Sequence, residues 1–346
     1  MKYLAIWASC ILVAMSNVVG ADSPVLEELY SEKMLSCGIS TGTPGFSGLD
    51  EKNNYSGLDV DFCRAIAAAI FGDDSRVRYV ELDSSQRFDA LLSGEVDILS
   101  RNTTWTLQRD ADFEFEYAGI MFYDGQGFLS NEGKLISRDT DLEGETICVQ
   151  ESTTTESNIQ TLKDQLGINF EISHKESKVA AEQAYLDGRC SVFTNDSSAL
   201  AGFKASIDQG GNKHVTGTLL ISKEPLGPLV RDDQPVLADI ARWVLNAMIM
   251  AEELGIDSGN VDQIAQNPAT IEAKKLLDSI DGGSSGACLG LTADWAYNLI
   301  LQVGNYGEIF NANVGPETAL GLERGANALF QDGGLMYALP FGSPCE

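Results

Sequence analysis

Val96-Asp97-Ile98-Leu99-Ser100-Arg101-Asn102-Thr103-Thr104-Trp105-Thr106-Leu107-Gln108-Arg109 changes character part-way along. Its apolar start, residues 96–99, reads as a buried strand of a parallel sheet. The strand runs straight into a polar segment with four hydroxyls and two arginines. In an α/β sheet the end of a buried strand is where the crevice opens and a ligand sits. Thr104 and Arg109 are spaced to face such a crevice. A guanidinium is planar and permanently charged, and it holds a carboxylate through two parallel hydrogen bonds. Hydroxyls and exposed backbone N–H groups complete a carboxylate's shell. The chemistry points to capture of a small anion rather than to bond-making. Arg109 would serve equally as a surface residue opening a helix, and these residues alone leave both roles open.

Working outward, residues 34–40 read as a strand and 63–71 as an alanine-rich helix closed by Gly72. The loop between them, Thr41-Gly42-Thr43-Pro44-Gly45-Phe46-Ser47, presents an aromatic, Phe46. Residues 77–82 form a second strand, and 85–92 a helix stopped by Gly94. Strand–helix alternation of this kind predicts an α/β fold with parallel sheets. A second unit repeats the pattern. It has a strand at 146–149, a hydroxyl-rich helix start at Ser152-Thr153-Thr154, a helix at 179–186 and a strand at 190–194. Thr153 and Glu156 have capping-box spacing. A helix start with outward N–H groups also suits an anion, so capping and binding explain these hydroxyls equally. Asp196 follows the last strand; it either caps the next helix or stands ready to pair with an ammonium. Leu237, Ile240, Ala241, Val244, Leu245, Met248 and Ile249 recur at helical spacing and belong to the core.

Residues 1–21 have the build of a secretory signal: Lys2, an apolar run, then Gly20-Ala21 for cleavage. The mature chain is therefore expected in the periplasm. No later segment has the roughly 18 consecutive apolar residues of a membrane span, so direct membrane insertion is not expected. The chain carries 51 acidic and 23 basic residues, which opposes nucleic acid or anionic membrane as a partner. An anionic ligand must then be drawn in by local charge. Six cysteines follow the signal, and an even number in an exported chain predicts disulfides of many possible connectivities. Joining each cysteine to its sequence neighbour pairs Cys37 with Cys63, Cys148 with Cys190 and Cys288 with Cys345. No C-x-x-C favours a redox or zinc site. Gly282-Gly283-Ser284-Ser285-Gly286 spells G-x-S-x-G without the strand and helix that a nucleophile elbow needs. There is no H-E-x-x-H, P-loop or dinucleotide fingerprint. No cofactor and no metal are expected, and binding is favoured over catalysis.

Several segments together resemble the periplasmic amino-acid-binding proteins of ABC transporters, the family 3 extracellular solute-binding proteins, and most of all their general L-amino-acid-binding subfamily. The resemblance is carried by Gly57-Leu58-Asp59-Val60-Asp61-Phe62-Cys63-Arg64, by 94–106, by Tyr123-Asp124-Gly125-Gln126-Gly127-Phe128 and by Thr153-Thr154-Thr155-Glu156. It continues through Ile221-Ser222-Lys223-Glu224-Pro225-Leu226-Gly227-Pro228, Ala251-Glu252-Glu253-Leu254-Gly255 and Val303-Gly304-Asn305-Tyr306-Gly307-Glu308, in order over nearly all of the mature chain. It implies a two-lobed, type II periplasmic-binding-protein fold with two crossover hinge segments, near 125–130 and 218–228. Lobe 1 would comprise 22–127 and 225–346, the latter with a C-terminal extension, and lobe 2 would comprise 128–224. It implies a non-enzymatic monomer that captures an L-amino acid and delivers it to an inner-membrane ABC permease. Residue by residue, Arg109 would take the ligand α-carboxylate, with Asn102 and Thr104 beside it. Ser152, Thr153 and Thr154 would meet the same carboxylate from the other lobe, and Asp196 would take the α-ammonium. Phe46 would pack on the ligand side chain and Arg101 would reach an acidic one. Ser152 departs from the glycine common in relatives. The alternatives are a periplasmic dehydratase on the same fold, which would need a general acid in the cleft, and a phosphate-like oxyanion binder. Asp196 separates them, because an ammonium requires it ionised.

Overall fold

The computed structural model describes residues 23–50, 52–208, 213–278, 284–343 and 345. The expected signal, residues 1–21, lies outside the described residues, as do residues 281–283 of the Gly/Ser loop.

Two five-stranded sheets organise the chain. The first has the order Val77–Leu82, Leu35–Ser40, Ile98–Leu99, Leu229–Arg231, Phe115–Tyr117. The second has the order Glu171–Lys175, Thr146–Gln150, Val192–Asp196, Gln126–Asn131, His214–Thr216. Three neighbouring strands in each sheet are parallel, as the alternation predicts. The strands Leu229–Arg231 and Gln126–Asn131 run antiparallel to these. Each is the first sheet strand after the chain crosses from one lobe to the other, so it enters from the opposite direction. The crossings lie side by side: Phe122–Asp124 pairs antiparallel with Glu224–Leu226, and Glu224 stands opposite Asp124. This is the two-lobed α/β architecture with two crossover segments.

Every residue of Leu35–Ser40 is buried, as a strand covered on both faces requires. The helix Leu58–Phe71 is tied to this strand by the Cys37–Cys63 disulfide. It starts five residues before the expected start at Cys63. Gly57 sits at φ +130°, where a Cβ would meet the Phe46 carbonyl oxygen at 2.2 Å, and this close approach sets the entry of the helix. Cys148–Cys190 staples the second sheet, and Cys288–Cys345 holds the chain end on the helix Ser285–Leu289. The long helix Pro235–Glu253 buries all seven residues of its apolar stripe. The strand after Val96 is shorter than its apolar run. Asp97 instead uses its carboxylate to accept from the Ser36 N–H at 2.8 Å.

Candidate ligand-binding site

The polar ends of the sheets face one another across a cleft. Arg87, Arg101, Asn102, Thr104 and Arg109 line it from the first lobe. Gln150, Thr153, Thr154, Lys178 and Asp196 line it from the second. The lobes touch across it. Gln150 donates to Asp83 at 2.7 Å, Lys178 donates to the Gly42 carbonyl at 2.6 Å, and the Thr104 and Thr154 hydroxyls lie 3.3 Å apart. The cleft is closed.

Local structure explains each placement. Thr106 caps the short helix Leu107–Ala111 by accepting from the Arg109 N–H. The Arg109 side chain folds back, and its Nη1 donates to the Thr104 carbonyl at 2.9 Å. Tyr117 donates to the same carbonyl at 2.9 Å. Arg109 is 8% exposed, which removes the surface reading. Its guanidinium lies 5.3 Å from the Phe88 ring centre, and that of Arg87 lies 4.6 Å from it. Across the cleft, Thr153 caps the helix Thr154–Leu166, accepting from the Glu156 N–H at 3.1 Å. Glu156 answers Ser152 rather than Thr153, so the box is displaced by one residue. Asp196 does not cap the helix that follows it. Asp124 does so from the hinge strand, accepting from both the N–H and the hydroxyl of Ser198. Asp196 is 8% exposed, and its Oδ1 has no hydrogen-bond partner among the described residues.

The charges are poorly compensated. Burial, reinforced by the Asp124 and Glu224 carboxylates, pushes the Asp196 carboxyl well above its ordinary range; Arg109 and Arg87 pull it back. Burial likewise pushes Asp124 up to about 6. On the cationic side, burial lowers Arg87, with Arg101 and Arg109 adding repulsion. Burial brings Arg101 down to about 10 and lowers Lys178. A buried charge is tolerated when paired. A species carrying one cationic and one or more anionic groups would satisfy both sides of this cleft.

The structure brings together Arg101, Asn102, Thr104, Arg109, Thr153, Thr154 and Asp196. Two expected residues stand elsewhere. Phe46 is 1% exposed inside the first lobe, its ring edge-on to Phe122 at 5.2 Å. The Gly57 contact turns the loop inward, so its aromatic belongs to the core and not to the cleft. Ser152 is exposed at φ +61° and lines not the cleft itself but an adjoining surface hollow with Leu107 and Asn158. The left-handed backbone explains why glycine suits this position. Arg101 reaches the cleft but is partly committed, donating from Nε to the Leu82 carbonyl and from Nη2 to Ser84. Two cations escaped the sequence reading. Arg87 shares its helix face with Ala90 and Leu91, and Lys178 shares its face with Ala181 and Tyr185. A cation on an otherwise apolar face is the signal that would have found both.

The model of the bacterial extracellular solute-binding proteins, family 3, matches residues 35–256. The chain belongs to this family. Among family 3 relatives, the general L-amino acid-binding periplasmic protein AapJ of Rhizobium johnstonii is 40% identical over 97% of each chain. The glutamate/glutamine/aspartate/asparagine-binding protein BztA of Rhodobacter capsulatus is 40% identical over 99% of this chain and 100% of that one. A solved periplasmic binding protein from Brucella ovis, with glutathione bound, superposes at TM-score 0.89 with 41% identity, covering 92% of this chain and 100% of that one.

Proposed function

We propose that this family 3 protein captures an L-amino acid between its lobes, with a preference for acidic side chains, and delivers it to an inner-membrane ABC permease. The observation that carries this reading is that Arg109 from one lobe and Asp196, with an unpaired carboxylate oxygen, from the other line one closed cleft. Arg109 takes the α-carboxylate, with Asn102 and the backbone N–H groups of the helix start at Thr153 and Thr154 around it. Asp196 takes the ammonium. A zwitterion uses one cation and one anion of the cleft, which leaves Arg87, Lys178 and the free end of Arg101 for a second anionic group. The names of the Rhizobium and Rhodobacter relatives support an amino-acid ligand, and the latter names two acidic amino acids together with their two amides. Glutathione on the Brucella protein fits the same logic, because its γ-glutamyl head is an α-amino acid with a further carboxylate downstream.

In this reading the protein is not an enzyme. It works as a monomer in the periplasm after loss of residues 1–21. Lobe 1 runs over 22–125 and 225–346 and lobe 2 over 126–224. This moves the first boundary two residues towards the N-terminus, because the second sheet takes up the chain at Gln126. The test is isothermal titration of the mature protein, freed of ligand by unfolding and refolding, against L-glutamate, L-aspartate, L-glutamine, L-lysine, D-glutamate, glutathione and phosphate. Micromolar or tighter binding led by L-glutamate or L-aspartate is expected. Heat from phosphate alone would overturn the ligand class, and lysine as the tightest ligand would overturn the acidic preference.

A further inference from the structure

Glu224 lies behind the cleft rather than in it, and it is 1% exposed. It opens the hinge strand Glu224–Leu226. Its Oε2 accepts from the Thr104 hydroxyl at 2.6 Å and from the Thr154 hydroxyl at 2.9 Å. Its Oε1 accepts from Asn158 at 2.8 Å and from Ser222 at 2.5 Å. Four donors therefore converge on one carboxylate. Thr104 comes from the first lobe, Thr154 and Asn158 come from the second, and Ser222 comes from the crossover.

We propose that Glu224 is a positioning residue that turns the two cleft threonines into acceptors for the ligand ammonium, and does so only when the lobes are closed. This rests on the amino-acid reading above. An ionised carboxylate only accepts, and a hydroxyl owns a single proton. With both protons committed to Glu224, Thr104 and Thr154 present lone pairs to the cleft. They cannot also donate to a ligand carboxylate, whose shell falls to Arg109 and to backbone N–H groups. Thr104, Thr154 and Asp196, whose Oδ1 has no hydrogen-bond partner among the described residues, line the same cleft, a setting for a cation. The arrangement depends on closure, because a single oxygen of Glu224 is held by both lobes. Separating the lobes breaks one of its two threonine bonds and frees a hydroxyl proton to turn towards the cleft. Ammonium recognition and closure are thereby linked, as any ligand that favours one of two states requires.

The test compares the tightest-binding L-amino acid of the panel with its des-amino analogue, glutarate in the case of glutamate, by competition titration. In Glu224→Gln the amide brings N–H donors into the cluster, so the threonine protons are released from their fixed direction. The preference for the amino acid over the analogue should fall about tenfold or more, the size of a charge-assisted hydrogen bond. A residue that only held the fold together would weaken both ligands equally. An unchanged ratio therefore overturns the inference. Should Glu224→Gln fail to fold, Thr154→Val decides. Loss of the amino acid with glutarate retained supports acceptor duty, and equal loss of both refutes it. Asn158→Ala loosens Glu224 without touching the cleft, and it should shift the ratio the same way by less. If the parent binds no amino acid, the reading of the cleft fails. If the parent binds and the ratio stands, this inference alone fails.

Discussion

Arg109→Ala removes the cation that the proposed ligand carboxylate would meet. Truncating one partner of a buried, hydrogen-bonded charge pair costs about 2–5 kcal/mol of binding, so the dissociation constant should rise from about 30-fold to a few thousandfold. Two features of the cleft push towards the upper part of that range. Arg109 heads the cations that favour ionised Asp196, ahead of Arg87, so its loss also weakens the ammonium partner. Arg87 and Arg101 remain to hold a carboxylate but approach from other positions, which limits rescue. The fold should feel the change far less. The Arg109 side chain donates to the Thr104 carbonyl, and Tyr117 still donates to that carbonyl after the truncation. The stability cost should stay near 1 kcal/mol. Isothermal titration on refolded, ligand-free protein reads the first quantity and urea unfolding the second. Affinity within about threefold of the parent, less than 1 kcal/mol, would remove Arg109 from the site. A loss of affinity matched by an equal loss of stability would make Arg109 a structural residue.

Binding should be linked to proton release. Asp196 has its carboxyl raised by burial and by Asp124 and Glu224, so the ligand-free protein holds that proton at pH values where an exposed aspartate has lost it. An ammonium forces it off, so affinity should rise with pH above the ordinary carboxylate range. Titrations in two buffers of different ionisation heat should report the released proton, and Asp196→Asn should abolish it. Asp59 is buried under the Arg101 strand end with its carboxyl pushed up to about 7. The native state keeps this proton after the unfolded chain has lost it, so the contribution of Asp59 to stability falls as pH rises from about 4 to about 7. Melting temperatures of Asp59→Asn should show a flatter decline over that window than the parent. Phe46→Ala should cost about 3–5 kcal/mol of stability by emptying a core position and should leave the order of ligand preference unchanged. A reordered panel with an unaltered melting temperature would return Phe46 to the cleft.

Much of this was legible because local rules and tertiary structure agree. The strand-to-polar switch at residues 96–109, the capping residue Thr153, and the apolar stripe of Pro235–Glu253 each follow from spacing and chemistry within a few residues. Neighbour pairing of the cysteines matches the structure in all three cases. Phe46 was misread for the opposite reason. A loop rich in glycine and threonine suggests exposure, but the contact that turns it inward is with Gly57, beyond the loop itself. Asp196 was ambiguous because the residue that does the capping, Asp124, comes from a hinge strand far away in sequence. Arg87 and Lys178 were overlooked because a helix with one cation reads as amphipathic from sequence, and only the opposing lobe reveals that the cation's face is enclosed.

The hinge is where these misreadings meet. The two strands of the crossover ribbon put acids opposite each other, Asp124 and Glu224. Asp124 bonds the start of the helix after Asp196, and Glu224 bonds the start of the helix after Thr153. Each acid therefore anchors an N-terminal helix end, where the helix dipole favours negative charge. Both also bear on Asp196, raising its carboxyl. Their placement would be hard to justify by stability alone, since three buried carboxylates close together repel. It becomes economical once a cation completes the set from the cleft side. Sequence order separates these acids by up to a hundred positions, Asp124 against Glu224, and a motif that the two hinge crossings alone bring together carries no local signature. In the proposed reading the same crossings let the lobes move. The acids that would recognise the ammonium and the segments that would transmit closure are thus built from the same residues.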